Sequence, residues 1–247
     1  MIGEPVHPKW DPQMMAMLNV AYAGRGVHSD GHILDGGAYV EPVAMHELPG
    51  STFALVTNSQ PGVEDGPVSS HADGGKLGVA LLRKEHGKWT LVRHFEDVAT
   101  LGSYGYIGEV KWISLADGKP GIAVLHGTSG QGASDESMSL FDLTGREMRD
   151  LTDEIGVVST NVGACGPGSP VCWTIESTWH FEKNPKSAYD DLLIDFSGFR
   201  ETRKQGEAET VPRIRKNLAS HARYTFKDGM YKLLDGETIL PKIDFTN

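Results

Sequence analysis

Residues 191–196 are DLLIDF, and residues 222–226 are ARYTF. Both stretches have the apolar content expected of short strands, and the polar residues 197–218 separate them. The stretch DGMY at residues 228–231 follows directly and begins with a dipeptide typical of a tight turn. This order predicts an apolar strand, a long polar loop, a second strand and a hairpin turn.

The same arrangement occurs twice more in the preceding residues, and a repeated supersecondary unit indicates how the chain is built. Alternating apolar and polar residues at 109–115 and 173–181 predict half-buried antiparallel strands before the second and third copies. We therefore expect a mainly β fold of repeated antiparallel β-meanders, either incomplete and propeller-like or a β-sandwich. The strand, loop and strand of the first copy are residues 53–57, 58–75 and 77–82, and those of the second are residues 121–125, 126–137 and 138–141.

One amphipathic helix is predicted near the N-terminus. Asp11 suits the N-cap, Pro12 suits the first helical position, and apolar residues then recur with helical spacing. We expect residues 1–38 to form this helix and a Gly/His-rich loop packed on the body. Residues 39–247 are expected to form the β-repeat domain, with repeats at about 39–100, 101–160 and 161–238.

The charge and the hydropathy pattern restrict the possible partners. The 247 residues carry a formal net charge of −10, which argues against a nucleic-acid binder because such proteins need a basic face. No apolar run approaches the roughly 20 residues that cross a bilayer as a helix. We therefore expect neither a nucleic-acid partner nor membrane insertion, and the acidic surface favours a basic protein partner.

The two cysteines bear on the cellular compartment. Cys165 and Cys172 flank a Pro/Gly-rich stretch that can fold back on itself, which predicts a disulfide, with two free buried thiols as the alternative. A Cys-x6-Cys spacing is not usual for zinc. A disulfide indicates an oxidising compartment, so we expect a periplasmic or secreted protein. The first residues lack the pattern of a signal peptide, and we interpret the chain as the mature form of an exported protein, with a cytosolic protein as the alternative.

A metal site has only weak candidates. His28, Asp30 and His32 place two histidines four residues apart, but the glycines around them argue against the helix that would align such ligands. We therefore predict no metal and no other cofactor. A metal-dependent hydrolase is the least favoured function; it would combine these histidines with an acidic cluster formed by Asp190, Asp191 and Asp195.

The three predicted loops occupy equivalent positions in their repeats, so they are expected to gather into one recognition surface. The first two loops carry acidic residues without bases, and the third is densely charged with both signs. The residues predicted to contact a partner are Glu64, Asp65, Asp73, Asp135, Glu136, Arg203 and Arg213.

Two short motifs resemble a known class of repeat. The stretches GKPGIAV at residues 118–124 and DDLLI at residues 190–194 are similar to repeats of FG-GAP and VCBS-type proteins, which occur outside the bacterial cytoplasm. The resemblance covers most of residues 39–234 and implies an extracytoplasmic β-repeat protein. Those families usually carry a D-x-D-x-D-G calcium loop, which this chain lacks, so calcium binding is not expected.

Our leading hypothesis is a non-enzymatic extracytoplasmic binding protein. An inhibitor or immunity protein that recognises a basic, cell-wall-directed enzyme or toxin through its loops fits the acidic charge and the absence of a catalytic motif in the sequence. The alternative is a carbohydrate or cell-wall binding module with an exposed aromatic platform provided by Trp112, Trp173 or Trp179.

Overall fold

The computed structural model describes residues 11–25, 33–35, 37–63, 66–166, 168–204 and 210–241. Within these residues the chain is mainly β, with two antiparallel sheets, one α-helix near the N-terminus and no closed barrel, so the predicted fold class is confirmed. The chain divides into two compact units. The first consists of the residues up to Val110 together with the short segment Glu147–Arg149. The second consists of Lys111–Arg146 and the residues from Asp150 onward. The predicted boundary after residue 38 and the three repeats stay predictions.

The first unit is a helix packed on a sheet. Helix α1 (Pro12–Ala21) begins as predicted, because the Asp11 carboxylate accepts a hydrogen bond from the Gln13 backbone N–H at 2.7 Å. Met17 and Leu18 of α1 are fully buried against Leu55 and Leu82 of the sheet. The described strands pair in the order β1-β2-β3-β5-β6, with β4 beside β3; they are β1 (Ile33–Asp35), β2 (Ala38–Leu48), β3 (Thr52–Val63), β4 (Gly66–Pro67), β5 (Gly75–Glu85) and β6 (Lys88–Leu101).

The second sheet is an eight-stranded meander in which each strand pairs with its neighbours in the chain. One face carries the core of the second unit, including Leu140, Ile194 and Phe196. A short 3-10 helix (Val162–Ala164) lies between the fourth and fifth strands of this sheet. The strands are β7 (Glu109–Ala116), β8 (Lys119–Gly130), β9 (Ala133–Asp142), β10 (Ile155–Thr160), β11 (Val171–Glu182), β12 (Asp191–Thr202), β13 (Ile214–Lys227) and β14 (Met230–Gly236).

The prediction of a long loop at residues 126–137 is wrong. Strands β8 and β9 run through it and are joined by the two residues Gln131 and Gly132, whose φ angles are 51° and 81°. Two successive residues with positive φ make the tight hairpin turn whose twist matches that of the flanking strands. These strands cannot be recognised from the sequence pattern, because residues 127–136 are mostly small or polar and show little apolar alternation.

The other two predicted loops are shorter than expected. Strand β3 continues to Val63, so residues 58–63 are strand, and Asn58 and Gln60 are buried polar residues only 1% and 2% exposed. Buried polar side chains at strand positions made this segment resemble a solvated loop. Between β12 and β13 the connection is limited to residues 203–213.

Candidate functional site

Strands β11, β12 and β13 bring two rows of side chains together on one face of the second sheet. Trp173 is the register partner of Arg200, which is in turn the partner of Lys216. The adjacent row contains Ile175 and Leu218 on either side of a glycine. Side chains two residues apart along a strand share a face, so both rows continue the face that carries the core.

These rows line a cavity of about 340 Å³ within the second unit. Residues of the segment after β14 complete its described wall, which is apolar except for two cations. Its lining residues are Val171, Trp173, Ile175, Arg200, Lys216, Leu218, Ile239 and Pro241. The volume lies in the range of roughly 300–1,000 Å³ that is typical of small-molecule sites.

Trp173 is held in place at both its side chain and its backbone. The indole Nε1–H donates to Ser159 Oγ at 2.9 Å, and the backbone N–H donates to Asn161 Oδ1 at 2.7 Å. The Asn161 amide also donates to the Val171 carbonyl at 3.0 Å. The ring is therefore presented to the cavity in a fixed orientation.

Asp135 continues this polar chain behind Trp173. It lies on β9 as the register partner of Ser159, with which it is hydrogen-bonded. Burial raises the pKa of the Asp135 carboxyl, and the Ser159 hydrogen bond opposes this effect. Asp135 therefore supports Ser159 and Trp173 from inside the sheet.

The predicted disulfide Cys165–Cys172 is confirmed, with the two Cα atoms 5.8 Å apart. Cys172 directly precedes Trp173, so the disulfide closes the connection that leads into the cavity wall. Arg213 stabilises the same connection, because its guanidinium donates to the carbonyl oxygens of Gly166 at 2.6 Å and Ser169 at 3.2 Å.

The other residues predicted to contact a partner are distributed over both units. Asp73 belongs to the first unit and is exposed; hydrogen bonds with Ser70 lower the pKa of its carboxyl. Glu136 lies in strand β9, and the backbone N–H of Arg203 donates to the Pro170 carbonyl at 2.8 Å. The predicted residues outside the described ranges are Glu64, Asp65, His28, Asp30 and His32.

The acidic cluster considered for a hydrolase is held in structural contacts. Asp191 accepts a hydrogen bond from Arg223 Nε at 2.8 Å and another from Asn184 Nδ2 at 2.7 Å. Burial acts to raise the pKa of Asp191, but hydrogen bonds from Asn184, Thr225 and Arg223 outweigh it and lower that pKa. Asp195 lies exposed on the same strand.

A smaller cavity of about 210 Å³ lies in the first unit, beside Tyr22. Its charged groups are already matched, since Arg25 pairs with Glu96 at 3.0 Å and Lys76 pairs with Asp97 at 2.8 Å. A ligand would have to compete with these ion pairs, so the cavity of the second unit is the stronger candidate site.

Two other observations bear on the predicted ligands. Across the described part of the chain, no group of three or more His, Cys, Asp or Glu side chains is arranged to hold a metal ion. Trp179, a candidate platform residue, packs against the core of the second unit and contacts Phe181 edge-to-face. Trp112 is half-buried on strand β7.

The chain matches no known family model, no curated protein and no solved structure. Within the described residues, no helix has the length and apolar character needed to cross a membrane.

Sequence reasoning named Trp173 but missed the residues around it. Arg200 and Lys216 were assigned to a loop, although both belong to strands. Pairing β12 with β13 through a shorter connection would have placed these cations side by side next to Trp173.

Proposed function

We propose that this protein is a non-enzymatic extracytoplasmic binding protein, and that the cavity beside Trp173 is its ligand site. The observation that carries the proposal is a mainly apolar cavity on the core-bearing face of a sheet, with a fixed indole in its wall. The cavity is open to solvent, since Arg200 and Lys216 in its wall are exposed, and clefts of this volume with mainly apolar walls are typical ligand sites.

The lining favours binding over catalysis. The described lining residues include no carboxylate, histidine or hydroxyl group that would serve as a general base or nucleophile. The proposal therefore requires only that the cavity holds its ligand.

The disulfide supports an extracytoplasmic location, because such bonds persist mainly in oxidising compartments. The resemblance to FG-GAP and VCBS-type repeats agrees with this location and stays a prediction.

The lining also bears on the choice of ligand. Trp173 suits an aromatic platform of the kind predicted for a cell-wall binding module. Sugar hydroxyl groups, however, need several donors and acceptors, and the described wall offers mainly aliphatic side chains. A ligand with an apolar body therefore fits this cavity better than a neutral glycan.

The inhibitor or immunity hypothesis is the second candidate function. The net charge of −10 supports it, since an acidic protein gains association rate towards a basic partner. Among the predicted contact residues that the structure describes, Asp73 is exposed, whereas the others are half-buried.

Binding of an uncharged fluorescent probe tests the cavity directly. We expect N-phenyl-1-naphthylamine to bind the protein at one site and Leu218→Trp to abolish binding, because the larger side chain fills the cavity. Leu234→Trp is the matched control, since Leu234 is 60% exposed on β14 and does not line the cavity.

Fluorescence titration measures the affinity, and thermal melting verifies that both variants are folded. Probe binding that is equal in the two folded variants would contradict the proposal.

A further inference from the structure

The cavity wall contains two like charges in direct opposition. Arg200 on β12 and Lys216 on β13 are register partners, and both side chains line the cavity. Like charges directly opposite each other on neighbouring antiparallel strands are destabilising. Such a local conflict in a folded protein is expected at a functional position.

No described acid resolves this conflict. Among the residues that the structure describes, the side chains of Arg200 and Lys216 have no ion pair and no hydrogen bond, and no carboxylate lines the cavity. Asp135 lies on the same face, but on β9, three strands away from Arg200 on β12, where it is hydrogen-bonded with Ser159.

The opposite face of the same strands provides a comparison. Arg215 pairs there with Glu201 at 3.5 Å, and its guanidinium lies 3.7 Å from the centre of the Phe199 ring. Arg215 on the outer face therefore has an acidic partner, whereas the two cations at the cavity have none among the described residues.

We infer that the cavity binds an organic anion, with an apolar body against Trp173 and Leu218 and one anionic group between Arg200 and Lys216. This inference rests on the proposed function. A guanidinium can hold a carboxylate, sulfate or sulfonate through two parallel hydrogen bonds, and an ammonium group adds a second charge. The shared chemistry of the ligand is therefore an apolar ring or chain that ends in a single anionic group.

The net charge of the protein helps to distinguish anion binding at this site from general attraction of anions. A protein with a net charge of −10 repels anions at long range, so any preference for an anionic ligand must come from local cations. Salt screens exposed charges, and the preference is expected to decrease as the ionic strength rises.

Two probes with the same rings separate the contribution of the charge from that of the apolar body. 1-Anilinonaphthalene-8-sulfonate differs from N-phenyl-1-naphthylamine only by its sulfonate. We expect the wild-type protein to bind the sulfonate probe about tenfold more tightly than the uncharged probe, as one charge-assisted contact would provide. The variant R200Q/K216Q is expected to remove this difference while keeping the aliphatic stems of both side chains.

The matched control is R215Q/K232Q, which removes two positive charges that are ion-paired away from the cavity. It is expected to keep the ratio of the two affinities. If neither probe binds the wild-type protein, both the proposed function and this inference fail. If both probes bind the wild-type protein with equal affinity, or if R200Q/K216Q keeps the wild-type ratio, the inference is overturned while the proposed function stands.

Discussion

At the scale of single residues, buried polar groups orient the side chains that matter most. Trp173 donates to Ser159, which is in turn hydrogen-bonded with Asp135 on the next strand. A buried indole N–H usually needs such a partner, and this one also fixes the ring plane. The orientation of the proposed platform thus depends on residues that never touch the ligand.

The charge of Asp191 is tied to folding through its contact with Arg223. Its side chain is 2% exposed and pairs with Arg223 at 2.8 Å, whereas Glu182 contacts the same arginine from a 52% exposed position. We expect Asp191→Asn to lower the free energy of unfolding by about 2 kcal/mol at pH 7, because the half-buried Arg223 loses its buried partner. Glu182→Gln is the matched control and should cost at most about 0.5 kcal/mol.

The effect of Asp191→Asn should depend on pH in one direction. The pKa of Asp191 is lower in the folded protein than the ordinary value of 3.8, so its contribution is fully present above 3.8 and is lost as the pH falls through the lower folded value. Urea unfolding at pH 7, 5 and 3 should show a constant difference between wild type and variant at the two higher values and a smaller one at pH 3. A difference that stays constant down to pH 3 would be inconsistent with this assignment.

At the scale of elements, the connection from β10 to β11 is stabilised by a disulfide and by hydrogen bonds from Arg213. The disulfide joins Cys165 to Cys172, and Arg213 donates to two carbonyl oxygens in between. This connection leads directly into Trp173, so its order is coupled to the cavity wall.

We expect the C165S/C172S variant to lose about 2.5 kcal/mol of stability. A disulfide that closes a loop of this length lowers the conformational entropy of the unfolded chain, and that loss corresponds to about this free energy. Urea unfolding followed by tryptophan fluorescence measures the loss. Wild-type protein treated with a reductant provides the control and should give the same curve. No change in either sample would show that the disulfide contributes nothing to stability.

Element types could be predicted better than element lengths. The N-cap at Asp11 and the alternation at residues 173–181 identified α1 and β11, because both patterns rest on local chemistry. The strand extensions at 58–63 and 127–130 were missed, since buried polar or small residues replace the apolar alternation there. Their strand conformation depends on pairing with neighbours, which no local pattern contains.

At the scale of the whole molecule, the chain forms two units with different plans. A helix covers the sheet of the first unit, while the second is a meander of consecutive strands. The mainly β class was predictable from the short apolar stretches and the turns. The candidate site was not, because Arg200 and Lys216 both fall in the stretch 197–218 that was predicted as a loop, and they meet only through the register of β12 and β13.

We expect a bound ligand to contact Trp173 in the second unit. The chain contains five tryptophans, so the ¹⁵N–¹H spectrum of their indole groups offers few signals, and Trp173→Phe assigns the relevant one. On titration with N-phenyl-1-naphthylamine, we expect the Trp173 signal to shift with the probe concentration while that of Trp89, in the first unit, stays in place. A Trp173 signal that is unmoved at saturating probe would show that the ligand does not bind beside Trp173.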